Sequence, residues 1–378
     1  MSLLTLYHFY SIIIHYNKDY LVDNIIFSFY IKIIFIYLYL YIMSIVKVEY
    51  VWVGGNNELR SKTKIIETNN SSIGLNDLPI WNYDGSSTNQ APGNDSEVLI
   101  KPRKIYPDPY NNNNDIIVIC DTWLPNGEPH STNTRIIAEE IFKQKTELEP
   151  WFGMEQEFFA IDLQTNLPIG FPLNGYPKEQ GQYYCSIGAG NSFGRDFFEE
   201  AETHCLNAGI KLTGKNFEVC PGQMELQVCN VGIDAGDDII MLRYILGRTG
   251  EKYNYKIDIE PKPIKGDWNG SGFHTNFSTK PMREENGYSV ILEAIKKLED
   301  KHQQHIDVYG SGNEERLTGL HETAHISKFT YGVANRGASV RIPRDTEKNK
   351  CGYFEDRRPS SNCDPYLVTS KLFSTCCL

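Results

Sequence analysis

Two glutamates, two residues apart inside an apolar run, are the first sign of chemistry in this chain. They stand in Phe152-Gly153-Met154-Glu155-Gln156-Glu157-Phe158-Phe159-Ala160-Ile161. On a strand, positions i and i+2 point the same way, so both carboxylates share one face. Like charges that close repel, and removing them from water adds several kcal/mol or more. Bound divalent cations would relieve both problems. A solvent-facing strand edge explains one such pair at least as well, but it explains a second less well. Glu218-Val219-Cys220-Pro221-Gly222-Gln223-Met224-Glu225-Leu226-Gln227-Val228 supplies two more acids at strand-like positions. Glu355 lies in Gly352-Tyr353-Phe354-Glu355-Asp356-Arg357-Arg358-Pro359, and His274 follows the glycine-rich stretch from Gly266 to Phe273. Five carboxylates and one imidazole suit Mg²⁺ or Mn²⁺, hard ions that favour oxygen. Thiolates would have suggested zinc.

Arg316, Arg336, Arg341, Arg357 and Arg358 cluster in the last third of the chain. Guanidinium forks match carboxylate and phosphate oxygens in pairs. A solvated basic surface fits poorly with the neighbouring Ala334, Ala338, Val340 and Ile342. The glycine-rich loop before His274 has neither the Walker lysine spacing nor G-x-G-x-x-G, so neither standard nucleotide motif applies. A competing signal is His321-Glu322-Thr323-Ala324-His325, which fits the zinc-protease pattern H-E-x-x-H. That reading needs a helix with both histidines on one face, and Gly319, Gly332 and Gly337 argue against one.

The elements that must position these groups follow from periodicity. Ile45–Val53 alternates apolar and polar and meets Gly54-Gly55, which predicts a strand and a turn. Lys64–Glu67, Leu99–Tyr106 and Asp115–Cys120 read as further strands. Ser131–Lys145 carries a helix signal, with Thr132 or Asn133 as cap and Ile136, Ile137, Ile141 and Phe142 as its apolar face. Phe197–Ala208 and Asp237–Tyr253 are further predicted helices, and Tyr288–His305 is predicted as the longest. A mixed sheet packed by helices is the expected outcome.

The chain has 378 residues, 40% of them hydrophobic and 22% charged, which suits a globular protein of two or three domains. The net charge is -11, without the basic footprint that nucleic acid requires. Nine cysteines include no C-x-x-C pair, which argues against a disulfide scaffold and for a reducing compartment. Cys120, Cys185, Cys205 and Cys220 are expected as buried apolar groups, and Cys376 and Cys377 as exposed thiols. Residues 1–42 stand apart, rich in Ile, Tyr, Phe, Leu, Asn and Lys. They fit translated sequence upstream of a true start at Met43 in an AT-rich genome. The apolar run Ile25–Val46 keeps a membrane anchor as the alternative.

From about Met43 to the end, the chain resembles eukaryotic glutamine synthetases. The resemblance rests on Trp81-Asn82-Tyr83-Asp84-Gly85-Ser86-Ser87-Thr88 and on Lys262-Pro263-Ile264 through His274-Thr275-Asn276-Phe277-Ser278. Arg316–Thr323, Gly332–Ser339 and Gly352–Pro359 complete it. It implies an α+β protein with a small β-grasp domain at 43–127 and a larger catalytic domain at 134–378. The latter would hold a mixed, mainly antiparallel curved sheet packed by helices. It implies ATP-dependent ligation of ammonia to the glutamate side chain through γ-glutamyl phosphate.

In that reading, Glu157, Glu218 and Glu225 hold one metal and Glu155, His274 and Glu355 the other. Arg336 and Arg341 face ATP phosphates, with Asn276, Phe277, Ser278, Tyr353 and Phe354 along the nucleotide. Arg316 and Arg357, with Asp267, Trp268, Gly270 and Arg336, bind glutamate. Asp84 of a neighbouring subunit takes a proton from ammonium, and Glu322 closes over the site. The implied assembly is a cytoplasmic homo-oligomer of two stacked pentameric rings, with no nucleic-acid or membrane partner.

The family usually has Trp at Met224, Gly-Pro at Cys229-Asn230 and proline at Gln182, and Ala324 and His325 are also unusual. None of these departures removes a proposed ligand. Two alternatives remain open at this point: a related ligase for another amine, and a silent copy that joins related rings. Comparing ammonia with small alkylamines separates the first, and metal-independent stability would favour the second.

Overall fold

The computed structural model describes residues 44–69, 72–111 and 114–378. The expected leader at 1–42, like Met43, lies outside them. Alternating apolar residues at the amino end build five strands: β1 (Ser44–Val53), β2 (Leu59–Thr68), β3 (Trp81–Asp84), β4 (Glu97–Pro107) and β5 (Ile116–Trp123). Their order is β2-β1-β5-β4-β3, with β1 and β5 parallel. Val48, Tyr50, Ile100 and Val118 form the buried side of this sheet. Three of the four predicted strands fall inside these elements, the fourth starts one residue before β5 at Asp115, and β3 lies at an edge.

The second sheet contains β6 (Trp151–Asp162), β7 (Leu167–Pro168), β8 (Leu212–Phe217), β9 (Gln223–Val231) and β10 (Tyr255–Asp258). Its remaining strands are β11 (Phe273–Ser278), β12 (Tyr331–Val333), β13 (Val340–Ile342) and β14 (Phe354–Asp356). The path is β12-β13-β14-β11-β6-β9-β8, with β7 and β10 also paired to β6. Only β12 and β13 run parallel among these pairs. The longer helices include α1 (Thr134–Phe142), α2 (Arg195–Asn207), α3 (Ile233–Tyr253) and α4 (Gly287–Asp300).

The alternation of β6 decides where the core ends and the site begins. Phe152, Met154 and Phe158 are completely buried, and their face meets Phe142 of α1 and Phe197 and Phe198 of α2. Glu155 and Glu157 therefore point to the other face. Farther along that face, Phe159 and Ile161 close into a small apolar cluster with Cys220. The α+β architecture is the expected one, and no helix among the described residues is long and apolar enough to cross a membrane.

Several local expectations need correction. Asn133 does cap α1, its side chain accepting from the Ile136 N–H, but Ile137 is 51% exposed. Arg135 is buried instead, because its guanidinium makes two 2.9 Å bonds to Asp237. The predicted helix over 288–305 breaks at Lys301 (φ -110°, ψ 20°) into α4 and a short helix at His302–Ile306. The longest helix among the described residues is α3, with 21 residues. Cys185 is exposed rather than buried, while Cys376 lies on the buried side of the carboxyl-terminal helix Pro365–Cys377.

Candidate active site

Strand register gathers the acids. Glu155 of β6 lies opposite His274 of β11 and Gln227 of β9, and Glu157 lies opposite Glu225. Glu355 of β14 pairs with Asn276 of β11 on one side and Arg341 of β13 on the other. Glu218 follows β8, its carboxylate accepting from Asn216 Nδ2 at 2.8 Å and the Val219 N–H at 3.2 Å. All six predicted ligands line one polar cavity of about 180 Å³.

His274 sits at the centre. Its Nδ1 is 3.1 Å from Glu155 Oε2, 3.7 Å from Glu355 Oε1 and 3.8 Å from Glu157 Oε1. Ligand atoms of Glu155, His274 and Glu355 fall within 4.8 Å of one another, a spacing that a single ion can bridge. Burial, reinforced by the Arg357 charge, holds the imidazole well below its usual pKa. A neutral imidazole is what coordination requires.

The carboxylates are shifted the other way. Burial, then repulsion from Glu218, pushes Glu157 up to about 8. Burial and Glu225 do the same to Glu218, which also reaches about 8. Glu225 is raised to about 8 by burial and Glu155, and Glu155 is raised mainly by burial. Acids crowded and desolvated in this way, with an imidazole among them, have the donor chemistry of a divalent-cation site.

With no cation bound, the folded chain keeps protons on Glu157, Glu218 and Glu225 between roughly pH 4.5 and 8, where the unfolded chain has lost them. Unfolding then releases protons, so stability of the metal-free protein falls as pH rises through that window. We expect a lower thermal midpoint at pH 8.5 than at pH 6 without metal, and recovery at pH 8.5 with saturating Mn²⁺. Calorimetry in two buffers of different protonation enthalpy should show proton release on Mn²⁺ binding at pH 7. A metal-free midpoint that is flat or rising with pH contradicts the assignment.

Arginines close the other side. Glu355 receives Arg357 Nη1 on Oε1 at 2.6 Å and Arg341 Nη1 on Oε2 at 2.7 Å. Arg316 is 5% exposed, and its Nη2 lies 3.1 Å from His274 Nε2. Burial draws its pKa down to about 10. Arg336 stands at the cavity mouth, 3.5 Å from Glu322 Oε2. Arg358, two residues beyond the end of β14, leaves the group and pairs with buried Asp356 at 2.7 and 2.8 Å.

Other predicted residues divide. Gly270 and Glu322 line the cavity, whereas Asp267 is an exposed partner of His321 and Trp268 packs on Phe171. Asn276 reaches in, giving Glu155 Oε1 a 2.9 Å hydrogen bond. The rings of Phe277 and Phe354 are core, packed edge-on against each other with Phe277 also tilted against Phe152, so only their backbone can meet a ligand. Ser278 is buried and bonded to Arg283, and Tyr353 is 42% exposed outside the cavity. Asp84 does not line it at all. It is exposed on edge strand β3, with Ser86 and Ser87 bonded to its carboxylate, which holds its pKa down to about 2.

The zinc-protease reading is excluded on geometry. His321 and Glu322 take left-handed φ of 54° and 60° in a turn, and His325 bonds Ser327 rather than facing His321. Sequence reasoning missed Asn216, Gln223, Gln227 and Tyr184, which also line the cavity. The first three stand two residues from an acidic ligand, so the same period-2 rule could have found them.

Fold and site together define an α+β protein with a deep cavity arranged for cations and anions at once. A family model described as glutamine synthetase, catalytic domain, matches residues 129–293. The cytosolic glutamine synthetase isozyme of Medicago sativa is 54% identical over 331 residues, covering 86% of this chain and 92% of that protein. A putative glutamine synthetase of Acanthamoeba polyphaga mimivirus is 53% identical over 337 residues, covering 88% and 95%. A chloroplastic glutamine synthetase of Brassica napus is 53% identical over 331 residues, covering 86% and 77%. The cryo-EM structure of Plasmodium falciparum glutamine synthetase matches with a TM-score of 0.71 at 18% identity, over 90% of this chain and 74% of that one, a likeness of fold. The chain belongs to the glutamine synthetase family.

Proposed function

We propose a division of labour among these residues for the reaction of this glutamate–ammonia ligase. The reaction uses ATP to join ammonia to the side-chain carboxylate of L-glutamate, giving L-glutamine, ADP and phosphate. The observation that carries the proposal is the convergence of six ligand groups and four arginines on one cavity.

Glu157, Glu218 and Glu225 hold one divalent cation, Mg²⁺ or Mn²⁺, and Glu155, His274 and Glu355 hold another. When bound, the cations neutralise phosphate oxygens that gain charge during phosphoryl transfer. Arg341 and Arg336 bind the ATP phosphates, and Arg336 also steadies the γ-glutamyl phosphate. Asn276, with the backbone of Phe277 and Phe354, and Ser278 and Tyr353, lines the nucleotide path. Arg316 and Arg357 orient the glutamate carboxylates, with Asp267, Trp268 and Gly270 shaping that end. Such groups are already in place before charge develops, which is where most of the rate enhancement resides. Glu322 folds over the cavity and keeps water from the acyl phosphate. Asp84 arrives from a neighbouring subunit and removes a proton from ammonium, since only neutral ammonia carries a free lone pair. Its position on an exposed sheet edge, away from its own chain's cavity, supports this. The assembly is a homo-oligomer, two stacked pentameric rings with amino-terminal units at 43–127 and catalytic units at 134–378. The cytoplasm is the proposed compartment, in keeping with nine free thiols.

The test is a glutamine-forming assay with each component omitted in turn. Phosphate release should require glutamate, ATP, Mg²⁺ or Mn²⁺ and ammonia together. Equal turnover with alkylamines, or none with the complete mixture, would overturn the reading.

A further inference from the structure

Gln223 has no part in the division of labour above, yet its side chain lies where two of the proposed binding elements meet. It is the first residue of β9 and only 1% exposed. Its Nε2 donates to Glu157 Oε2 at 3.1 Å and to the Gly270 carbonyl at 3.1 Å. Both hydrogens of the amide nitrogen are thereby used, which fixes the orientation of the side chain. A flip would set the amide oxygen against two acceptors. Glu157 Oε2 also accepts the Gly272 N–H at 3.0 Å. With two donors on Oε2, the oxygen left for a ligand is Oε1, beside His274.

Packing alone does not explain a glutamine here. Its own Oε1 is buried without a partner among the described residues, and such an acceptor costs about 1–3 kcal/mol. An apolar side chain of the same length would avoid that cost and fill the same space. What it would lose is the double contact of the nitrogen. We propose that Gln223 is a positioning residue that ties Glu157 to the Gly270 loop, so that affinity for a divalent cation and affinity for the amino-acid substrate rise and fall together. This rests on Glu157 as a cation ligand and Gly270 as part of the glutamate site.

The experiment uses the full-length assembled protein and the variants Gln223→Met, Gln223→Asn and Glu157→Ala. Met keeps the length without donors, and Asn keeps the amide but withdraws it by one carbon. Free Mn²⁺ is followed by electron paramagnetic resonance during titration, and KM is measured separately for glutamate and for ATP. Loss of a residue that orients a metal ligand typically weakens binding about 10–100-fold, and that range is expected for Mn²⁺ in both Gln223 variants. Glutamate KM should rise by about tenfold with it, while ATP KM stays within about twofold. A lowered thermal midpoint with both affinities unchanged overturns the proposal, as does movement of one affinity without the other. Glu157→Ala separates the two levels of inference. If it binds Mn²⁺ like the parent protein, the site reading itself is wrong. If it loses Mn²⁺ while the Gln223 variants do not, only the positioning role is wrong. Should Met disturb assembly, Asn carries the same expectation.

Discussion

Glu355→Ala is expected to lower glutamine formation by about 10³-fold or more, equivalent to roughly 4 kcal/mol of transition-state stabilisation. The size follows from how much depends on this one side chain. Glu355 is 1% exposed, and each oxygen receives an arginine within 2.7 Å. Its Oε1 also lies 3.7 Å from His274 Nδ1. Truncation removes a ligand and frees Arg341 and Arg357 from the angle at which they meet phosphate and carboxylate. It also leaves the buried Arg357 guanidinium without its carboxylate partner, which is destabilising in its own right. Glu355→Gln keeps the shape and removes the charge, so it should lose most activity with a smaller fall in thermal midpoint. Full turnover by either variant, at normal assembly, would remove Glu355 from the chemistry.

The second large effect concerns Asp84. Asp84→Ala should keep nucleotide binding and lose glutamine formation, because the carboxylate lies outside the cavity of its own chain. If neighbouring subunits share each site, Asp84→Ala and Glu355→Ala damage opposite sides of one interface. Oligomers assembled from equal amounts of the two inactive chains should then regain about a quarter of parental activity, since head-to-tail contacts leave that share of sites intact by chance. No recovery on mixing would show that both lesions fall in a site built by one chain. Equal loss of nucleotide binding and ammonia use in Asp84→Ala would instead point to a structural role. That outcome is checkable, because Asp84 also receives Ser86 and Ser87 at the start of a short turn.

Much of the site was legible as alternation. Glu155 with Glu157, and Glu225 with the overlooked Gln223 and Gln227, share faces because a strand repeats every two residues. The cap at Asn133 was legible too, because a short oxygen-bearing side chain satisfies an N–H that the first helical turn leaves open. Sequence patterns carry such facts because they are local: one side chain, one turn, one pleat.

Only the tertiary structure decided which strands meet. Pairing β6 between β9 and β11 is what sets Glu155 opposite His274 and Glu157 opposite Glu225, across separations that no local period encodes. A contact between α1 and α3, Arg135 on Asp237, likewise put Arg135 inside in place of Ile137. Face is a property of a segment, but register and burial belong to the contacts between segments, and those exist only once the chain has folded.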